Sequence, residues 1–170
     1  MSRKERSKPV ELALVGEVDD WEKDVIDALL EVEPGGQCVL YFDSSGGTVS
    51  SALAVLALIR HRPIRAQAVV LGDCSSSAIM LFAACQTRLV TRYSTFLFHR
   101  MRWESDEDVN PTEALNWARH FARLEHDLDE LIFRLFGSAE EQLRAWTRDG
   151  AFVTGEDVAA AGLAQLLEIG

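Results

Sequence analysis

The sequence has few of the residues that mark secreted, metal-binding or membrane proteins. Three cysteines occur among 170 residues, Cys38, Cys74 and Cys85, and their spacing contains no CxxC pair of the kind found in zinc and redox sites. No stretch reaches the roughly 18 uncharged apolar residues that a membrane span requires, and no apolar segment of a signal peptide follows the basic residues at the start. We therefore expect a cytoplasmic protein without membrane contact, whose cysteines are reduced and lie in the core.

Positive charge is also scarce. Lys and Arg number 17 against 27 Asp and Glu, which gives a formal net charge of −10 and a pI of about 4.8. A protein that follows a nucleic-acid backbone needs a basic face, so this balance argues against a nucleic-acid partner. No metal-ligand spacing is present, and the sequence predicts neither a metal site nor another cofactor.

The chain lacks internal repeats and any Pro/Gly/Ser-rich linker long enough to separate two domains. With 48% hydrophobic residues, it has enough apolar side chains for one sizeable core. We therefore predict a short polar N-terminal segment, residues 1–9, followed by a single domain over residues 10–170.

What the sequence does contain is a regular alternation of strand and helix patterns. Apolar segments typical of strands are separated by glycine turns and by amphipathic or Ala/Leu-rich segments typical of helices. This alternation predicts an α/β fold built from repeated βαβ units, with parallel strands and right-handed crossovers. The predicted strands are residues 10–18, 37–43 and 64–71, with short ones at RLVT and at 94–99, and the predicted helices are residues 19–34, the later part of 44–63, and 77–84.

A long amphipathic helix is predicted over residues 111–136. Pro111 suits the first helical position and Gly137 the C-terminal stop, and apolar residues recur at helical spacing between them. A helix of about seven turns is long for a chain of this size, so we expect its far end to project.

Two turns stand at predicted carboxyl ends of strands, where sites form in parallel α/β sheets. Residues 43–47 read DSSGG, and residues 72–77 read GDCSSS just before a helix. A serine at a strand-to-helix turn has the mechanics of a nucleophile elbow, and unpaired N–H groups at the helix start can bind an oxyanion. Serine is also a preferred helix N-cap, so Ser75, Ser76 and Ser77 alone leave both interpretations open.

A serine nucleophile needs a base, and the chain has four histidines. His120 and His126 belong to the long helix beside charged neighbours, and His61 lies at a basic helix end, where a cation suits the helix dipole. His99 differs because it closes the predicted strand 94–99 and so emerges at the carboxyl edge of the sheet. A purely structural histidine is the alternative at this point.

Several segments together resemble the ClpP-type serine peptidases, the proteolytic subunits of the caseinolytic proteases. YFDSSGGTVSSALAV is similar to the glycine-turn segment of that family, GDCSSSAIMLFAA to its nucleophile segment, and STFLFHRM to its histidine strand. The long helix and the following FVTGEDVAAAGL also occur in the family's order. The resemblance covers nearly the whole chain and implies the ClpP/crotonase fold, with the long helix in the position of the family's handle helix.

The resemblance also implies site residues. Ser76 takes the nucleophile position, four residues after the glycine of its motif, and His99 takes the position of the base. The N–H groups of Gly47 and Ser77 take the positions of the oxyanion hole, and Gly46 permits close approach of the chain. The implied activity is that of a serine endopeptidase, a hydrolase that cleaves peptides or unfolded proteins by acyl transfer.

The third member of the implied Ser-His-Asp triad fits less directly. An ungapped match to the family places Gly150 where the orienting aspartate is expected, and Asp149 is its neighbour. A kink at Gly150 brings Asp149 within reach of His99, and we take Asp149 as the implied triad member. The alternative is that Asp149 caps a helix or faces solvent.

The resemblance further implies a homo-oligomer, in the form of heptameric rings that enclose a chamber, and a smaller or single ring is the alternative. Only about nine residues precede the first predicted strand, too few for the N-terminal segment with which family members meet an ATPase ring, so an unfoldase partner is not expected. Two other functions stay open: a catalytically inactive ClpP-like scaffold or regulatory subunit, and a crotonase-like acyl-CoA enzyme.

Overall fold

The computed structural model describes residues 8–104 and 108–169 of the chain. Residues 1–7 of the predicted N-terminal segment therefore lie outside the described residues. The strands in the described part are β1 Val10–Glu17, β2 Gln37–Gly46, β3 Arg65–Cys74, β4 Thr87–Val90, β5 Thr95–Leu97, β6 Phe152–Thr154 and β7 Gln165–Leu166. The helices there are α1 Val18–Glu31, α2 Val49–His61, α3 Ala78–Ala84, α4 Pro111–Phe136, α5 Glu140–Asp149 and α6 Gly155–Ala160.

The main sheet has the order β1-β2-β3-β4-β7, and each neighbouring pair is parallel. Leu40 of β2 lies between Leu12 of β1 and Ala68 of β3, so the apolar strands are in register at the centre of the sheet. A helix follows each of the first three strands and separates it from the next, which is the βαβ arrangement that the alternating pattern predicts. The predicted α/β fold with a parallel sheet is confirmed.

Strands β2 and β3 are longer than predicted. Both continue into their glycine turns, as far as Gly46 and Cys74, and Ser44 pairs with Cys74 after a register shift. Polar turn residues weaken the strand pattern, whereas neighbouring strands on both sides supply hydrogen-bond partners for the backbone. The two turns therefore leave the same edge of the sheet side by side.

An aromatic cluster joins the sheet to α3 and α4. The ring of Phe82 in α3 lies 6.3 Å from that of Phe42 and 5.3 Å from that of Phe96. Phe136, in the last turn of α4, lies 6.1 Å from Phe82. All four rings are buried, so this end of the long helix is anchored in the core.

The long helix α4 has the predicted bounds. Asn110 caps its start by accepting hydrogen bonds from the N–H groups of Thr112 and Glu113, and Gly137 ends it with a left-handed φ of 72°. In the described ranges, no helix is both long enough and apolar enough for a membrane span.

The three cysteines are buried free thiols, as expected. Burial raises the pKa of Cys38 to about 11 and raises those of Cys74 and Cys85 further. These thiols therefore stay protonated and act as apolar core residues.

The segment after α4 contains elements for which the sequence pattern gave no assignment. Strand β6 pairs antiparallel with β5, with Leu97 opposite Phe152, and α5 precedes it. Within α5 only Leu143 is buried, and most of its residues are charged or polar, so it offers few apolar positions from which a helix could be recognised. This segment matters for the site because β6 supports the short strand that leads to His99.

Candidate active site

The two serine-containing turns meet as their position at the sheet edge predicts. The N–H group of Ser75 donates a hydrogen bond of 3.0 Å to the carbonyl oxygen of Ser44. The hydroxyl of Ser77 donates one of 3.0 Å to the carbonyl oxygen of Gly47. These contacts hold the turn after β2 against the start of α3.

Ser75 has a structural role in this junction. Its buried hydroxyl donates to the carboxylate of Asp73 and accepts a 3.0 Å hydrogen bond from the N–H group of Leu97. Both hydrogen-bonding capacities are used to link β3 to β5. Ser75 is therefore not placed as a nucleophile.

Helix capping does not account for the serine row either. Ser77 is the N-cap residue of α3, but its side chain makes no capping hydrogen bond and binds Gly47 instead. The hydroxyl of Ser75 is taken by Asp73 and Leu97, and that of Ser76 contacts a histidine. Each hydroxyl in the row thus has a different partner.

Ser76 has the backbone conformation of a nucleophile elbow. Its φ of 55° is left-handed, which costs a residue with a side chain roughly 1–2 kcal/mol relative to ordinary helical backbone. The N–H group of Ser76 donates a 3.0 Å hydrogen bond to the carbonyl oxygen of Leu97, which holds the turn in place. Its Oγ lies 2.9 Å from Nε2 of His99. The structure therefore brings the predicted nucleophile and base together.

His99 lies two residues beyond the end of β5 at Leu97, so the predicted strand 94–99 was too long. Leu97 is bonded to both Ser75 and Ser76, and the N–H group of Phe98 donates to the carbonyl oxygen of Ala151 at 3.0 Å. Hydrogen bonds to two different segments thus set the position from which the imidazole reaches Ser76.

The partners of the imidazole define its tautomer. Nδ1 lies 2.6 Å from the carbonyl oxygen of Arg100, which can only accept a hydrogen bond. The proton of neutral His99 is therefore on Nδ1, and Nε2 presents a lone pair to the Ser76 hydroxyl. This is the protonation state that a general base for Ser76 requires.

Gly46 is required by the close approach of the two turns. Its φ is 96°, and a Cβ built there would lie 2.7 Å from Cβ of Ser76 and 3.0 Å from the nitrogen of Ser77. No side chain fits at such distances, so the backbone of Gly46 packs directly against the turn that carries Ser76.

The N–H groups of Gly47 and Ser77 have no hydrogen-bond acceptor among residues 8–104 and 108–169. Both residues line a cavity of about 280 Å³ that Ser76 and His99 also line. Free N–H groups beside a serine hydroxyl are the components of an oxyanion hole. We call this space the Ser76 cavity.

Asp149 lies apart from this arrangement. It is the last residue of α5, its side chain is 59% exposed, and its carboxylate accepts a 2.8 Å hydrogen bond from Nε of Arg148. That hydrogen bond lowers the pKa of Asp149 below its usual range. The imidazole nitrogen that an orienting aspartate would bind instead contacts the Arg100 carbonyl. The described structure does not bring Asp149 and His99 into hydrogen-bond contact.

Helix α4 supplies part of the cavity wall; the sequence reasoning pointed to its apolar face but did not single out its carboxylates. Glu125, Leu128, Asp129 and Ile132 line the cavity and follow one another at the i, i+3, i+4, i+7 spacing of a single helical face. That spacing was the available signal. Burial and the nearby Glu125 carboxylate raise the pKa of Asp129.

No group of three or more His, Cys, Asp or Glu side chains suited to a metal ion occurs in the part of the chain that the structure describes. The other histidines, His61, His120 and His126, are exposed and do not border the Ser76 cavity. Of the four histidines, His99 alone lies at a serine in the described ranges.

A comparison of the sequence with models of known protein families agrees with the fold and with the serine–histidine pair. A family model described as Clp protease matches residues 7–167, nearly the whole chain. Such a match supports a serine peptidase of the ClpP type and the ClpP-type fold expected from the sequence motifs. The chain belongs to the Clp protease family.

Proposed function

We propose that the protein is a serine endopeptidase that uses Ser76 as nucleophile and His99 as general base. The observation that carries the proposal is the 2.9 Å contact between Ser76 Oγ and His99 Nε2, with the proton of the imidazole held on Nδ1. A left-handed Ser76 at a strand-to-helix turn and a cavity in front of it support the same function.

The reaction follows from these groups as acyl transfer. Nε2 of His99 accepts the hydroxyl proton while Ser76 Oγ forms a bond to the peptide carbonyl carbon. When the tetrahedral intermediate collapses, the C–N bond breaks and the imidazolium gives its proton to the leaving amine. Water, deprotonated by His99, then attacks the ester, and Ser76 recovers its proton as the acid product leaves.

The N–H groups of Gly47 and Ser77 are the proposed donors to the oxyanion. Their lack of acceptors in the described structure leaves both free to bind the negative oxygen, and the Ser77–Gly47 hydrogen bond ties the two turns that carry them. The loss of one such donor lowers kcat by about 100-fold or more in serine hydrolases.

Asp149 is proposed as the orienting carboxylate, under a structural condition. Its carboxylate has to leave Arg148, and Nδ1 of His99 has to exchange the carbonyl of Arg100 for that carboxylate. The gain from this exchange is stabilisation of the imidazolium that forms during the reaction. Until it occurs, the Arg100 carbonyl is the partner of Nδ1 in the described structure.

The proposal extends to substrates and assembly. Peptides and unfolded chains present a backbone that can reach the turns flanking Ser76, and membership of the Clp protease family supports assembly into homo-oligomeric rings that form a chamber. The cytoplasmic location expected from the sequence stays a prediction.

Covalent labelling with a fluorophosphonate tests the function, with the oligomeric size of the sample measured by light scattering. We expect labelling of the assembled protein at Ser76, and its loss in Ser76→Ala and His99→Ala. His61→Ala is the matched control, because His61 is exposed at the end of α2, and it keeps the label. Assembled protein that takes no label contradicts the peptidase proposal and favours an inactive scaffold.

A further inference from the structure

One part of the wall of the Ser76 cavity is apolar. Met80 and Leu128 are buried, Ile132 and Met101 are half-buried, and all four line the space in front of Ser76. A wall of this kind accepts the aliphatic part of a substrate side chain. The side chain best placed to enter belongs to the residue whose carbonyl Ser76 attacks, because the cavity adjoins that atom's site.

Asp129 adds a negative charge to this wall. It is half-buried on α4 next to Leu128, and its carboxylate forms no hydrogen bond or ion pair with any residue in the ranges 8–104 and 108–169. Its neighbour Glu125 differs, since Arg100 lies 3.9 Å from the Glu125 carboxylate. Arg100 and Arg144 also act on the charge of Asp129, but neither forms a direct ion pair with it in the described structure. Asp129 is thus the cavity carboxylate that is left without a direct ionic partner there.

Arg102 also borders the cavity and must be considered as a competing cation. It is exposed, and it borders a second, neighbouring depression lined by the carboxylates of Glu17, Asp19 and Glu104. Arg102 therefore borders both spaces, and it forms no ion pair with Asp129 in the described structure. A substrate cation that enters the cavity meets Asp129 on the wall formed by α4.

A carboxylate in such a place is incompletely solvated. Burial raises the pKa of Asp129, which means that its charged form has lost part of its hydration. A cation that enters the cavity restores favourable electrostatic interactions, and a charge-assisted hydrogen bond is stronger there than in water.

We propose that Asp129 is a specificity-determining residue that favours lysine or arginine immediately before the cleaved bond. The aliphatic stem of either side chain packs against Met80, Leu128 and Ile132, and its cationic end binds the Asp129 carboxylate. This inference rests on the proposed peptidase function, since it assigns the substrate class of the same cavity.

The test compares matched substrates in one enzyme. Tetrapeptide aminomethylcoumarins that carry lysine, norleucine or glutamate before the cleaved bond have the same backbone, and norleucine is lysine without the amino group. We expect kcat/KM to be about tenfold higher for lysine than for norleucine, the size of one charge-assisted hydrogen bond. The same ratio is measured as the labelling rate of Ser76 by the corresponding peptidyl phosphonates.

Three variants make the comparison specific. In Asp129→Asn the lysine-to-norleucine ratio falls to about one, and in Asp129→Lys glutamate becomes preferred over norleucine. Asp127→Asn is the matched control, because Asp127 lies on the same helix, is exposed and pairs with Arg123 at 3.8 Å, outside the cavity. It keeps the ratio of the unmodified protein.

The outcomes separate this inference from the function on which it rests. If the fluorophosphonate labels Ser76 but the lysine-to-norleucine ratio is one or less, the assignment of Asp129 is overturned and the peptidase function stands. A ratio that is unchanged in Asp129→Asn overturns it as well. If Ser76 takes no label from any reagent, both proposals fall.

Discussion

The two halves of the proposed site are built in different ways. Backbone hydrogen bonds to segments distant in the sequence hold Ser76 and His99 in place. The turn of Ser76 is bonded to Ser44 and Leu97, and the residue before His99 is bonded to Ala151. Asp149 stands exposed at the end of α5 and binds only its neighbour Arg148 among the described residues. The nucleophile and base are thus positioned by the fold, whereas the carboxylate is positioned by a local contact that solvent can replace.

The largest effect is expected at the backbone contact beneath the nucleophile. Gly46→Ala places a Cβ 2.7 Å from that of Ser76 on a left-handed backbone, so the free energy of unfolding falls by about 3 kcal/mol and Ser76 labelling is lost. Gly35→Ala is the control, because Gly35 also has a positive φ but nothing within 4 Å of a built Cβ. Chemical denaturation measures both, and equal losses would refute the close packing.

The carboxylate half is expected to show the next largest effect. Asp149→Asn removes the charge that stabilises the imidazolium, so we expect kcat to fall about 100-fold, or about 2.7 kcal/mol. Arg148→Gln releases the carboxylate and does not lower kcat. The split between kcat and KM distinguishes catalysis from structure, because loss of a charge that acts only on the imidazolium lowers kcat and leaves KM unchanged.

A kcat for Asp149→Asn within twofold of the unmodified protein would contradict the triad. The carbonyl oxygen of Arg100, 2.6 Å from Nδ1, would then be the group that orients His99 during catalysis. The whole site would then depend on backbone contacts, and the exposed carboxylate would have no part in it.

A smaller effect is expected for the structural serine in the same turn. Ser75→Ala removes the hydroxyl that links Asp73 to the N–H group of Leu97 and leaves that half-buried donor without its partner. The free energy of unfolding should fall by about 2 kcal/mol, while Ser76 remains the labelled residue. Loss of the label with unchanged stability would instead identify Ser75 as the nucleophile.

The smallest effect concerns the strain at the nucleophile itself. Glycine adopts a φ of 55° without the steric cost that a Cβ imposes, so Ser76→Gly should be about 1 kcal/mol more stable than Ser76→Ala, a few degrees in Tm. Both variants lack the nucleophile, so the difference reports backbone strain alone. Equal melting temperatures would show that the elbow is not strained.

Much of the fold could be predicted from the sequence because the apolar periodicity is strong in the first part of the chain. The strands and helices through α3, and the bounds of α4, were recognised from this pattern. The elements after α4 were not, since α5 buries only Leu143 and β7 has two residues. Short elements such as β6 exist because a neighbouring strand supplies hydrogen bonds, and that information is not local.

Motifs and order alone determined which residues are candidates: a serine row at a strand-to-helix turn, a histidine after a later strand, and two glycines in an adjacent turn. Only the tertiary structure decided among the three hydroxyls, because Ser75 and Ser77 differ from Ser76 in partners that lie far away in the sequence. It also added Asp129 to the cavity and left Asp149 with Arg148. The sequence determines which reactive side chains are present, but long-range strand pairing and helix packing determine which of them come into contact.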